Sequence, residues 1–233
     1  MTQRMIEITS PSFIREEDLA TGTPLEDFFP RRAPLALEVG CGIGDFIEQM
    51  ARLRPDWNFL AIDIYNRGCY KTCRKADLNN LSNVRVMRAE ARYLMTRFLP
   101  QESLAAIYVN CPDPWPKKRH RQRRLVNPEF LQLALYSLQP GADFIFSSDF
   151  TDYAEEVADL FADQDGFENQ QPTLFSHQVD NYPISKYMRR FLERGQPIYY
   201  VHYRKRDNGM KLPSIPPDVR RGFRVRWSDC DHD

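Results

Sequence analysis

The most constraining feature of this chain is a short apolar run that passes straight into three closely spaced glycines. Leu35-Ala-Leu-Glu-Val39 is followed at once by Gly40-Cys-Gly-Ile-Gly44. Phe46, Met50 and Leu53 then recur at helical spacing, and Asp45 stands where a capping residue belongs. Asn58-Phe-Leu-Ala-Ile62 is a second apolar run, ending at Asp63. The order strand, glycine loop, helix, strand, acidic residue predicts a βαβ crossover with parallel strands. In such a unit the glycines let backbone come close to a nucleotide-like ligand, and the acidic residue takes ribose hydroxyls.

The loop departs from a dinucleotide fingerprint. Asp45 stands where a third fingerprint glycine would be, and Glu38, Asp45 and Glu48 surround the helix start. A pyrophosphate favours neutral or positive surroundings there. Carboxylates suit a ligand carrying an amine and a sulfonium cation, which is S-adenosylmethionine.

Further along, Tyr65–Leu81 reads as a helix and Val84–Met87 as a third strand. Glu90 follows that strand, either facing an adenine or lying on the surface. Arg92–Leu99 reads as a short helix and Leu104–Val109 as a fourth strand. Open α/β sheets bind ligands beyond the carboxyl ends of their strands. Gly40, Gly42 and Gly44, with Asp63, Glu90 and Asp113, are therefore expected to share one crevice. Asn127 and Pro128 are suited to start a helix with Phe130, Leu131, Ala134, Leu135 and Leu138 inward. Ala142–Ser148 is a fifth strand. Asp149 then either faces the crevice or caps a helix over Tyr153–Gln164. Residues 165–184 show no period, and Tyr199–Arg204 reads as a late antiparallel strand.

After the fourth strand comes Asn110-Cys-Pro-Asp-Pro-Trp-Pro-Lys-Lys-Arg-His-Arg-Gln-Arg-Arg124. Three prolines in five residues exclude helix and central strand and make a stiff loop. Asp113 sits inside it. Trp115 is placed to stack on a base or to brace the loop. Lys117, Lys118, Arg119, Arg121, Arg123 and Arg124 form a cationic run suited to RNA phosphates.

Lys plus Arg (32) balance Asp plus Glu (32), so net charge says nothing about nucleic acid, and only the clustering of cations does. The cysteines number five, with no CxxC, which points to free thiols in a reducing compartment. Four scattered histidines make no metal-ligand spacing, and no metal is expected. No apolar run reaches membrane-spanning length. The expectation is a cytoplasmic protein without membrane contact. It divides into an N-terminal arm (1–34), a Rossmann-like domain (35–206) and a Pro/Arg-rich extension (207–233).

These residues resemble the bacterial tRNA (guanine-N7-)-methyltransferases. The resemblance rests on Leu37–Gly44, Pro112–His120, Arg123-Arg124 and Gly195–Tyr199, and extends over residues 26–206. It implies an α/β, Rossmann-like class I methyltransferase fold: a mostly parallel seven-stranded sheet, helices on both faces, and an antiparallel strand near the C-terminus. It implies S-adenosylmethionine contacts from Glu38, Asp63, Glu90 and Asp113, with Asp113 also catalytic. It implies tRNA contacts from Lys117, Asp149 and Ser185, Lys186, Tyr187 and Met188, which Arg119 of the basic run joins. The family usually has Asp at position 90, and Thr-x-Tyr-Glu where this chain has Ser185-Lys-Tyr-Met188, so one carboxylate is missing. The implied reaction is methylation of guanine N7 in the tRNA variable loop. No obligatory protein partner is evident in the sequence, and a monomer or homodimer is expected. The alternatives are another RNA site or acceptor, or a non-catalytic RNA-binding member.

Overall fold

Apolar runs bounded by glycine and proline fold here into alternating strands and helices around one sheet. The computed structural model describes residues 6–207, together with Gly209 and Pro216. In chain order the elements are β1 (Phe13–Ile14), α1 (Glu16–Ala20), β2 (Leu35–Val39), α2 (Asp45–Leu53), β3 (Asn58–Asp63), α3 (Asn66–Leu78) and β4 (Val84–Arg88). Then come α4 (Ala91–Arg97), β5 (Leu104–Asn110), α5 (Pro128–Ser137), β6 (Leu138–Ser148) and α6 (Thr151–Ala162). The chain continues through β7 (Phe167–Asn169), α7 (Lys186–Leu192) and β8 (Tyr199–Lys205).

The strands lie in the order β1-β4-β3-β2-β5-β6-β8-β7. From β1 to β6 neighbours run parallel, while β8 runs antiparallel to both β6 and β7. Every residue of β3 is buried, as expected for a parallel strand covered on both faces. Alternation along β2 and β3 sends Leu37, Val39, Leu60 and Ile62 to a core with α4, α5 and α6. It sends Ala36, Phe59 and Ala61 to a second core with Phe46, Met50, Cys69 and Cys73 of α2 and α3. Each large apolar side chain buried this way contributes roughly 1.5–3 kcal/mol.

Seven strands match the expected arrangement, and β1 is an eighth. The N-terminal segment supplies it, pairing Phe13 with Val86 and Ile14 with Met87 along the edge of β4. Ile14, Leu19 and Leu25 join the core there. β7, three residues long, was too short to show a period. β6 begins at Leu138, ahead of the turn residues Pro140-Gly141, because Leu138 pairs with Leu104 across a register irregularity. Asp45 is not the cap of α2: Gly44 holds that position at φ +76°, and the Asp45 carboxylate pairs with Lys75 of α3. Asn127 does cap α5, accepting from the Phe130 amide at 2.9 Å. The proposed extension over 207–233, including Cys230, lies outside the described residues apart from Asp207, Gly209 and Pro216.

Candidate active site

The carboxyl ends of β2, β3, β4 and β5 open on one cleft of about 490 Å³. Glu38, Gly40, Gly42, Asp63, Glu90 and Asp113 line it, joined by Ser185, Lys186 and Tyr187 from the start of α7. The topology alone brings the first six together, since parallel neighbours end on the same side.

The glycine loop is held from below. The Gly42 amide donates to Asp63 Oδ2 at 2.9 Å, and the Tyr65 amide donates to Oδ1 at 2.8 Å. Asp63 thus ties the end of β3 to the turn after β2. Burial raises its pKa, these backbone donors oppose the shift, and the charge of Asp113 adds to it. Gly42 sits at φ +56°, where a side chain is strained, and the space beside it is open to a ligand. Gly44 does not line the cleft; a Cβ there would lie 2.8 Å from Thr72 Cγ2. Gly68 was missed by sequence reasoning. A Cβ on it would come within 2.6 Å of the Gly42 carbonyl, so α3 packs against the loop only because residue 68 is glycine. A glycine inside a helix was the available signal.

Glu38 is almost wholly buried, and burial is the main cause that lifts its pKa from 4.5 to about 8. Its Oε2 has no hydrogen-bond partner, and neither has Asn110 Nδ2. Asn110 was not expected as a site residue; it closes β5 and lines the same cleft. Glu90 is buried rather than on the surface. Its Oε2 caps α4 by accepting from the Tyr93 amide at 2.9 Å, and its Oε1 pairs with Arg92 at 2.9 Å.

The proline loop leaves β5 with two non-glycine residues in left-handed backbone, Cys111 and Trp115, both at φ +44°. Asp113 is exposed and faces the cleft. Trp115 is braced by Arg123, 4.9 Å from its ring centre, and by the edge of His120 at 5.8 Å. The cationic run is not uniform. Lys117, Lys118 and Arg119 are exposed, whereas Arg121 pairs with Asp152 at 2.8 Å and Arg124 is buried. Two of the six expected phosphate ligands are therefore committed to carboxylates of α6. Lys117 and Arg119 lie beyond the cleft wall, as does Asp149, which caps nothing: Phe150 is the cap position of α6, its amide donating to Ser148 Oγ.

Ser185 caps α7, its Oγ accepting from the Met188 amide at 3.2 Å. Lys186 and Tyr187 are exposed on the cleft rim. Met188 is fully buried with Ile198 and Tyr200, beneath the rim rather than on it.

Orphaned buried polar atoms on Glu38 and Asn110, open space at the glycines, and a carboxylate-rich wall fit a cationic nucleoside carrying an amino-acid end. S-adenosylmethionine has that chemistry. Among the described residues no cluster of His, Cys, Asp or Glu is arranged to hold a metal ion, and no helix is long and apolar enough to cross a membrane.

A family model described as "Putative methyltransferase" matches residues 32–201. In fold the chain resembles the 16S rRNA methyltransferase KamB, with a TM-score of 0.58, 18% identity, and coverage of 87% of this chain and 96% of that one. A SAM-dependent methyltransferase from Aquifex aeolicus gives 0.52 at 16% identity, covering 78% and 87%. Fold and cleft together define a class I methyltransferase that uses S-adenosylmethionine.

Sequence relatives narrow the class. The chain is 54% identical over 98% of both chains to the tRNA (guanine-N(7)-)-methyltransferase of Syntrophotalea carbinolica. It is 48% identical to that of Geobacter metallireducens, over 89% of this chain and 99% of the relative. The chain belongs to the tRNA (guanine-N7-)-methyltransferase family.

Proposed function

We propose that the protein methylates N7 of a guanine in the variable loop of tRNA, giving 7-methylguanosine, in the cytoplasm, as a monomer or homodimer. The carrying observation is a carboxylate-rich nucleoside cleft whose rim holds Asp113 on a stiff loop, with three exposed cations directly after it. Residues 35–206 would be the catalytic unit, 1–34 an N-terminal arm and 207–233 an extension.

When bound, S-adenosylmethionine supplies a methyl group made electrophilic by its sulfonium. Glu38, Asp63 and the Gly40–Gly44 loop would hold its amino-acid and ribose parts, and Glu90 would lie toward the base. Guanine N7 has a free lone pair, so no general base is required. The protein's task is to place N7 about 3–3.5 Å from the carbon it attacks. Positive charge then arrives on the guanine, and a carboxylate beside it stabilises that charge. Asp113 would take this role, with Asp149 as the second candidate. Lys117 and Arg119 would take phosphates on one side of the cleft and Lys186 on the other, with Ser185 and Tyr187 at the base. Met188 acts from beneath, by seating Ser185 and Tyr187. RNA bases are read in loops where they splay out, which suits a variable-loop guanine.

The test is to incubate the protein with labelled S-adenosylmethionine and unmodified tRNA, then digest to nucleosides. Label in 7-methylguanosine is expected, with strong loss in Asp113→Asn while RNA binding is retained. Label in another nucleoside, or none, overturns the proposal.

A further inference from the structure

Arg124 is the one large cation of the basic run that is withdrawn completely from water. Its side chain is 0% exposed. A guanidinium in that position is destabilising unless its donors are matched. Here they are. Nε donates to the Pro114 carbonyl at 2.9 Å, one terminal nitrogen donates to Asp152 Oδ2 at 2.8 Å, and the other pairs with Glu156 Oε2. The flat face lies 4.6 Å from the centre of the Tyr153 ring. Asp152, Tyr153 and Glu156 all belong to α6.

The Pro114 carbonyl belongs to the Pro114–Trp115 peptide, one residue past Asp113. Around it stand the two left-handed residues Cys111 and Trp115. Such backbone costs on the order of 1–3 kcal/mol per residue and persists only where the surroundings over-determine it. Prolines restrict φ but do not tie the loop to the sheet. Arg124 supplies that tie. Asp152 also takes Arg121 at 2.8 Å, and the Tyr153 hydroxyl accepts from the Val126 amide at 2.9 Å. α6 therefore holds the chain at residues 121, 124 and 126 and, through Arg124, at residue 114.

We infer that Arg124, anchored by Asp152 and Glu156, is a positioning residue for methyl transfer: it fixes the backbone beside Asp113 so that the carboxylate is held toward the cleft. It is not a phosphate ligand. The inference rests on the role given to Asp113 in the proposed function.

The test compares wild type with Arg124→Lys, which keeps the charge but lacks the fork that reaches three acceptors. Glu156→Gln serves as a milder second variant. Displacement of a catalytic group by about 1 Å lowers turnover roughly 100-fold. The expected result for Arg124→Lys is a kcat about 10- to 100-fold lower at saturating tRNA and S-adenosylmethionine. Dissociation constants for tRNA and S-adenosylhomocysteine should stay within about twofold, since the residue touches neither. Amide hydrogen exchange should quicken over residues 111–117 and not elsewhere, and Glu156→Gln should show the same local change to a smaller degree. Wild-type kcat and wild-type exchange in the folded variant would overturn the inference. A loss of tRNA affinity matching the loss of turnover would overturn it too, making Arg124 a phosphate contact. If Arg124→Lys does not fold, Glu156→Gln decides alone: unchanged exchange over 111–117 sinks the idea. Wild type yielding no 7-methylguanosine would instead count against the proposed function, and the exchange measurement would still report on the loop.

Discussion

The Tyr182 hydroxyl donates to Asn110 Oδ1 at 2.7 Å, and the Ser147 hydroxyl donates to the same oxygen at 3.0 Å. With Oδ1 occupied twice, only Nδ2 is left for a further partner; it and Glu38 Oε2 are both buried without one, and Asn110 lies near enough to Glu38 to lower its pKa. An unpaired donor and an unpaired acceptor behind the cleft wall complement a carboxylate and an ammonium, the two charges of an amino-acid end. Asn110→Ala is expected to weaken S-adenosylhomocysteine binding about tenfold or more, the size of a hydrogen bond to a charged group. Tyr182→Phe should give a smaller loss, through misdirection of the amide. Titration calorimetry measures both, and an unaltered dissociation constant in Asn110→Ala would remove Asn110 from the site.

Glu38 makes the protein pH-dependent. Its folded-state pKa is about 8, against 4.5 ordinarily, mainly through burial, with Asp63 and Asp45 adding and Asn110 opposing. Between those values the folded protein holds a proton that the unfolded chain releases. Stability of the ligand-free protein therefore falls as pH rises through this window. Glu38→Gln should flatten that dependence in denaturant titrations at pH 5.5 and 7.5. Binding an ammonium needs the carboxylate ionised, so affinity for S-adenosylhomocysteine should climb with pH toward 8, by at most about tenfold per unit. Calorimetry in two buffers of different ionisation enthalpy should register proton release, and its absence would contradict the assignment.

Two glycines of one loop should respond differently to alanine. At Gly44 the new methyl meets Thr72 Cγ2 at 2.8 Å, in backbone at φ +76°. At Gly40, φ +80°, it meets nothing within 4 Å. Both carry the left-handed strain of about 1–2 kcal/mol. Gly44→Ala should therefore lower Tm further than Gly40→Ala. Gly40→Ala should lose more cofactor affinity than its Tm change suggests, because its methyl projects into open cleft. The reverse order in paired melting and binding measurements would refute this division.

Exposed cations of the basic run should set the salt dependence of RNA binding. Replacing Lys117, Lys118 and Arg119 together by alanine should reduce the slope of log K against log salt by about 2–3, because three phosphates then keep their counterions. Fluorescence anisotropy with tRNA gives the slope directly. An unchanged slope would show that RNA follows another face.

Local chemistry made the core of this protein legible in its sequence. Apolar runs of strand length, glycines directly after β2 and an acid at the end of β3 specify a parallel βαβ unit. Parallel strands place Glu38, Asp63, Glu90 and Asp113 at one edge without further information. Tertiary structure decided which members of a pattern keep their apparent role. Lys117, Arg119 and Arg124 read alike as cations in one run, yet Arg124 is buried because carboxylates of α6, 28 and 32 positions away, arrive beside it. Asn110 reads as an ordinary strand end until Tyr182, 72 positions on, claims its oxygen. Met188, in a segment expected to face the substrate, is drawn under the rim by Ile198 and Tyr200. β1 appears only because the edge of β4 offers it unpaired backbone. Propensity and period are properties of neighbours in sequence. The partner of a buried charge or an orphaned amide is a property of neighbours in space, and only the folded chain chooses those.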